Sequence, residues 1–297
     1  MQNRYLIGAA IVVAAGSSLA VAGGDLLSGN ARFRVGVSNA INSSAIPFTA
    51  PSGEGDLVTD TGGPDQVSRN LWYIRGGNQN TGLFNRLNSP GVGAESYSGN
   101  SGTFSYSDYF VSSTVARPLA VVYRATLTDF AAADTALVVQ QFTFTNNSAS
   151  TISFTLFNLL APNLRGTVSD DVVSFNDSDP TDQRFSDGTS TWQFRGYGAS
   201  RGQAGEARST GIFSLFPTSG TGTTGTTALS NGIQGGGASF GNSIFGVAGV
   251  LQFNISLAPG ASTDIFSAIG VNTAAIPAPG AAALLGMAGL VANRRRR

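Results

Sequence analysis

The chain has 297 residues, of which 41% are hydrophobic and 11% charged, with 39 glycines, 19 phenylalanines, no cysteine and no histidine. All seventeen basic residues are arginine, which excludes disulfides, Cys/His zinc centres, imidazole bases and Schiff-base lysines. The formal net charge of zero hides a partition: Arg4 and Arg294 to Arg297 are terminal, leaving 12 arginines against 17 acids, or −5, in between, a balance that argues against nucleic-acid binding.

The amino terminus has the layout of an export signal. Arg4 supplies a positive start, Leu6 to Ala15 is an apolar run, and Ala20-Val21-Ala22 places small residues before a cut at Gly23. Residues 1–22 are therefore predicted to be a signal peptide, and the body, 23–273, to lie outside the cytoplasm. Short strands follow at Arg32 to Val37, Leu71 to Arg75 and Leu119 to Leu127. From Ala136 to Thr145, Phe142 and Phe144 alternate with Gln141, Thr143 and Thr145; after the polar Asn146 to Ser150, Ile152, Phe154 and Leu156 alternate with Ser153 and Thr155. Period two on both sides of a short loop predicts a hairpin with one buried face.

Further strands are predicted at Thr191 to Arg195, Ile212 to Phe216 and Ile244 to Val250. Pro217 to Ser243 is rich in Gly, Thr and Ser and reads as a long flexible loop. Phe253, Ile255 and Leu257 then alternate with polar residues before a turn at Ala258 to Ala261, and Thr263 to Val271 returns as a strand. About ten strands without an amphipathic helix predict an all-β chain, an antiparallel β-sandwich or jelly roll with a single core.

Three groups of side chains are candidates for a site. Asp177, Asp179 and Asp182 lie in an acidic stretch that could turn oxygen ligands onto Ca²⁺, although the spacing lacks the glycine and glutamate of an EF-hand. The competing reading is a solvated turn built from Asn, Asp and Pro. Carboxylate pairs such as Asp170 with Asp171, or Glu95 with Glu206, would suit glycoside chemistry, but no sequence feature draws them together and no catalytic residue is assigned. Trp72, Tyr73, Tyr106 and Tyr109 are candidates for stacking on a sugar, with core packing as the alternative for Trp72.

The carboxyl terminus, 274–297, contains Pro277, Ala278, Pro279 and Gly280, then an apolar run to Ala292 that reads as a hydrophobic helix, then Arg294, Arg295, Arg296 and Arg297. The apolar run is short for a membrane span of ~20 residues. The four arginines act as a topology signal, because such a cluster favours the cytoplasmic side. At these residues the chain resembles the PEP-CTERM family of exported bacterial proteins, with Ala278 where that family carries glutamate. The resemblance covers only the tail. It implies a transmembrane sorting helix read by an exosortase-like membrane transpeptidase, with signal peptidase as the other processing partner, and cleavage near the Pro-x-Pro element. The expectation is a non-enzymatic surface or matrix protein of the cell envelope, transiently anchored in the inner membrane and placed beside extracellular polysaccharide. The alternative is a displayed carbohydrate- or Ca²⁺-dependent binding module. No other cofactor is expected.

Overall fold

The computed structural model describes residues 24–28, 31–35, 53–55, 67–76, 82–86, 94–109, 119–130, 135–164, 170–207, 211–215, 221–225, 229–241 and 246–272. Eighteen strands form two antiparallel sheets among these residues. The first sheet runs β1 (Gly24–Ser28), β2 (Ala31–Val35), β3 (Gly53–Gly55), β4 (Val67–Gly76), β10 (Ile152–Pro162), β17 (Val247–Leu257), β14 (Arg201–Glu206); β5 (Gly82–Arg86) also pairs with β4, and β15 (Thr221–Gly225) with β5. The second runs β16 (Ser239–Gly241), β11 (Val172–Asn176), β12 (Asp179–Ser186), β13 (Thr191–Tyr197), β18 (Ser262–Val271), β9 (Ala136–Asn146), β8 (Leu119–Asp129), β7 (Ser101–Tyr109), β6 (Ala94–Ser98). The all-β expectation holds.

Alternating residues of both sheets build one core, because side chains at every second position of a strand share a face. Phe142 and Phe144 of β9 meet Trp72 of β4 and Phe154 of β10, with ring centroids 4.6 Å (Trp72–Phe142) and 4.9 Å (Phe144–Phe154) apart in edge-on geometry. A polar junction is set into this layer. The Gln140 Oε1 accepts from Asn70 Nδ2 (2.6 Å), Trp72 Nε1 (3.0 Å) and the Tyr123 hydroxyl (2.9 Å). Beside it, Asn158 Nδ2 donates to Asn70 Oδ1 at 2.8 Å, and the Ser267 hydroxyl donates to Asn158 Oδ1 at 2.6 Å. Asn70, Trp72 and Asn158 belong to the first sheet, and Tyr123, Gln140 and Ser267 to the second.

The predicted hairpin at Asn146 to Ser150 does not form. β9 and β10 belong to different sheets, so the loop is an arch across the core, and 258–261 is a second arch from β17 to β18. The alternation on each flank is correct, but period two reports which face is buried and not which strand is the neighbour. Asn146 clasps the arches together. Its Nδ2 donates to the carbonyls of Ser150 (2.8 Å) and Leu257 (2.9 Å), and its Oδ1 accepts from the Ser148 N–H and hydroxyl. Its backbone N–H donates to the Ala261 carbonyl, and its own carbonyl accepts from the Gly260 N–H.

The predicted flexible loop is also corrected. Ile212–Leu215 is a 3₁₀ turn and not a strand, and the Gly/Thr-rich segment contributes β15 and β16 to the two sheets. Strand pairing is made by the backbone, which Gly and Thr supply as well as any residue. The outer face of the first sheet is itself apolar, with Leu71, Tyr73, Phe157, Leu159, Ala248 and Val250, and Ile212 and Leu229 cover it. Arg75 is buried on this face with its guanidinium 5.0 Å from the Phe157 ring centroid.

Gly202 and Gly249 allow the sheets to approach. A side chain on Gly202 would collide with the Pro180 carbonyl, and one on Gly249 with Gln183. The space lets Gln183 Nε2 reach from β12 to the Val250 carbonyl of β17 at 3.1 Å.

Because the Asn146 side chain is fully buried and serves both arches, Asn146→Ala is expected to lower the unfolding free energy by about 2–4 kcal/mol. Asn147→Ala, at an exposed neighbour, is expected to change it by less than ~0.5 kcal/mol. Urea denaturation of the two variants measures the difference.

Candidate functional site

The acidic stretch folds as the β11–β12 hairpin. Asp177 and Ser178, at φ of 50° and 62°, form its two-residue turn, the backbone geometry that such a hairpin loop demands. The Asp179 Oδ1 accepts from the Thr181 N–H (2.9 Å) and hydroxyl (2.8 Å) and closes a local turn. Asp182 points elsewhere: its oxygens accept from Gln193 Nε2 at 2.7 and 2.8 Å and from Asn176 Nδ2 at 3.0 Å, and Arg195 lies 3.5 Å away. Asp177, Asp179 and Asp182 therefore do not converge on one point. Among the described residues no group of three Asp or Glu side chains does.

The open end of the same hairpin is different. Val172 pairs with Ser186, so one further step of the register sets Asp171 opposite Asp187. Alternation puts both on the side of Val173 and Phe185, which are core residues. Asp171 is fully buried, and neither of its carboxylate oxygens completes a hydrogen bond. Burial pushes its pKa up to about 7; the negative charges of Asp170 and Asp187 add to the rise, and the nearby Leu164 backbone N–H offsets part of it. Asp187 is held in place, with Oδ1 accepting from the backbone N–H groups of Thr189 (2.7 Å) and Ser190 (2.6 Å). On the residue preceding Leu164, Asn163 Oδ1 is likewise buried without a hydrogen bond. Asp171 thus feels the charge of Asp187, where the sequence had offered only its chain neighbour Asp170, which is exposed.

The other candidates separate. Trp72 is core, its Nε1 committed to Gln140, and Tyr73 is buried on the covered outer face, so neither offers a ring to a sugar. Tyr106 and Tyr109 lie in β7, paired in register with Val121 and Leu119. Glu95 and Glu206 stand on β6 and β14, in different sheets. The predicted signal peptide at 1–22, the expected sorting motif Pro277, Ala278, Pro279 and Gly280, and the expected topology signal Arg294, Arg295, Arg296 and Arg297 all lie outside the described residues. Among the described residues no helix is long and apolar enough to cross a membrane.

A shallow cleft of about 360 Å³ opens beside β14, lined by Gln203, Ile212, Leu215, Ser230, Ile233 and Gln234. Sequence reasoning missed it, because its walls come from the 3₁₀ turn and the segment that reads as loop. It has apolar and amide surfaces but no ionisable side chain, and so no proton donor or acceptor of the acid–base kind.

No family model and no curated protein matches the chain. Among solved structures, a putative aldose 1-epimerase from Escherichia coli K12 is similar at 11% identity and a TM-score of 0.41, over 84% of this chain and 98% of that one. A GalM/aldose epimerase homologue from C. elegans is similar at 11% identity and a TM-score of 0.45, over 84% and 99%. HI1317 is similar at 10% and 0.37, over 84% and 91%. Set against the expectation of a non-enzymatic structural surface protein and its binding-module alternative, two of the three are described as an aldose epimerase or its homologue and none as a structural protein. At such identities and scores no activity or residue role passes to this chain.

The raised pKa of Asp171 has a defined sign. Between ~4, the ordinary carboxyl value, and about 7, the folded chain holds a proton that the unfolded chain has lost. Stability contributed by this group therefore falls as pH rises through that window, by up to about 1.4 kcal/mol per pH unit, and is flat above it. Asp171→Asn is expected to remove this slope, so that the difference in stability between variant and parent grows from pH 4 to 7. Denaturant titrations across that range measure it.

Proposed function

We propose that this chain is made as an exported precursor and delivered to the cell envelope by its two ends, with a single β-sandwich of the jelly-roll kind carried between them. The observation that carries the reading is the pattern of the tail: Pro277-Ala278-Pro279-Gly280, an apolar run and then Arg294, Arg295, Arg296 and Arg297, in that order. An arginine cluster behind an apolar helix resists translocation and holds its end on the cytoplasmic side, which matches the orientation set by a signal peptide at residues 1–22. An exosortase-like transpeptidase then reads the Pro-x-Pro element in the inner membrane and cuts near it, freeing the body toward the outer surface and the polysaccharide there. Supporting this reading, a cut before Gly23 leaves β1 whole, since that strand starts at Gly24, and removal of 274–297 leaves β18 whole, since it ends at Val271. The absence of cysteine suits an oxidising compartment. Delivery is the part of the function that the ends supply.

Intact-mass analysis of the protein from its native cell is expected to give a mature form lacking residues 1–22 and about the last twenty residues, the length of a membrane-spanning helix. Replacing Arg294, Arg295, Arg296 and Arg297 together with alanine is expected to abolish retention and processing of the tail. Ala278→Glu, which restores the usual residue of the family, is expected to speed processing. Secreted material that keeps the arginine tail would overturn the proposal.

A further inference from the structure

We propose that Asn231 is a site of spontaneous covalent modification in the folded protein, where the main-chain nitrogen of Gly232 displaces ammonia from the Asn231 carboxamide and water opens the resulting imide to aspartate or isoaspartate.

Among the asparagines of the chain, Asn231 alone is followed by glycine, so no Cβ shields the attacking nitrogen. Asn231 is exposed and holds a left-handed φ of 55°. Its surroundings suit the reaction. The Gly202 N–H donates to Asn231 Oδ1 at 3.0 Å, the oxygen on which negative charge builds as Cγ is attacked, and so acts as an oxyanion-hole donor does. Among the described residues neither Asn231 Nδ2 nor the Gly232 N–H makes a hydrogen bond, which leaves both the leaving group and the nucleophile unengaged. The atoms balance with water as the one co-reactant. The Gly232 nitrogen bonds to Cγ and gives up its proton, the Cγ–Nδ2 bond breaks, and Nδ2 departs with that proton as ammonia. Water then cleaves the imide on one of two sides. Cleavage at Cγ gives aspartate, and cleavage at the main-chain carbonyl carbon gives isoaspartate, whose backbone runs through Cγ and is one atom longer.

The modified residue sits on the cover of a sheet edge. β14 ends the first sheet, and residues 229–236 take up its outward N–H groups. Gly202 donates to Asn231 Oδ1, Ala204 to the Gly232 carbonyl at 3.2 Å, and Glu206 to Gln234 Oε1 at 2.8 Å. Isoaspartate lengthens the main chain between the first of these acceptors and the second, so the two no longer match the spacing of the strand. An edge uncovered in this way is a template for pairing with another chain.

The test ages the full chain in mild detergent and mildly alkaline buffer, folded and in urea, and follows Asn231 by peptide mass spectrometry. That readout detects water exchanged for ammonia and separates isoaspartate from aspartate. Conversion in the folded chain is expected to run within about tenfold of the rate in urea. Gly232→Ala is expected to slow it about tenfold or more in both states, and its Cβ would meet nothing nearer than Ser230 Oγ at 3.3 Å. Should Gly232→Ala fail to fold, Asn231→Gln, whose longer side chain must close a larger ring, serves as the second variant. Hydrogen exchange at Gly202, Ala204 and Glu206 is expected to be faster in the isoaspartate form than in Asn231→Asp, which keeps an acceptor on a chain of normal length. Asn231 that stays intact in the folded chain while it converts in urea overturns the proposal, and so does conversion unchanged by the substitutions. The outcome is independent of how the chain is delivered or processed.

Discussion

Two facing surfaces built largely from leucine, phenylalanine and valine could slide against one another at small energetic cost, since apolar contact is non-directional. The junction at Gln140 removes that freedom. One amide oxygen accepts from Asn70, Trp72 and Tyr123, and a shift of the sheets by one residue would strand the two donors that come from the first sheet, Asn70 and Trp72, in the core. Each stranded donor costs about 1–3 kcal/mol, so the alignment is selected by what misalignment would leave unsatisfied. The aromatic packing of Trp72, Phe142, Phe144 and Phe154 then has one geometry to settle into. The location of the Trp72 ring, and its unavailability to a ligand, follow from the same bond.

Much of the strand content was legible because burial of one face writes period two into the chain. Phe142, Phe144, Ile152, Phe154 and Leu156 all occupy the core side predicted from alternation. Pairing partners were not legible there: β9 and β10 look like the arms of a hairpin but cross between sheets, and only the donors and acceptors around Asn146, which lie far apart in sequence, decide the matter. The segment from Pro217 to Ser243 misled for a different reason. Its composition cannot fill a core, but an outer face needs only a few anchors, and Ile212, Leu229 and the backbone of β15 supply them.

The acidic corner shows how far residue spacing carries. Counting outward from the Asn176–Asp179 turn without interruption places Asp171 opposite Arg184, an ordinary ion pair. The register shifts between Phe175 and Asn176, after which Phe175 faces Gln183 and Val172 faces Ser186, so a further step would set Asp171 opposite Asp187 instead. A β-bulge is a backbone irregularity with no side-chain signature strong enough to be read here. One irregularity of the register therefore changes which side chain a further step would set opposite Asp171.

The stacked arches also impose an order in time. Ile152 to Leu160 must pair with Gly249 to Leu257, and Ala136 to Thr145 with Ser262 to Val271, across about a hundred intervening residues. During synthesis the first arch emerges long before the second, so the central strands of both sheets have one neighbour missing until Val247 to Val271 is made. Non-local pairing of this kind is slow, and it leaves strand edges exposed to other chains in the interval. The clasp at Asn146 is thus among the last contacts to form, and a chain that stops short of Val247 cannot close either sheet.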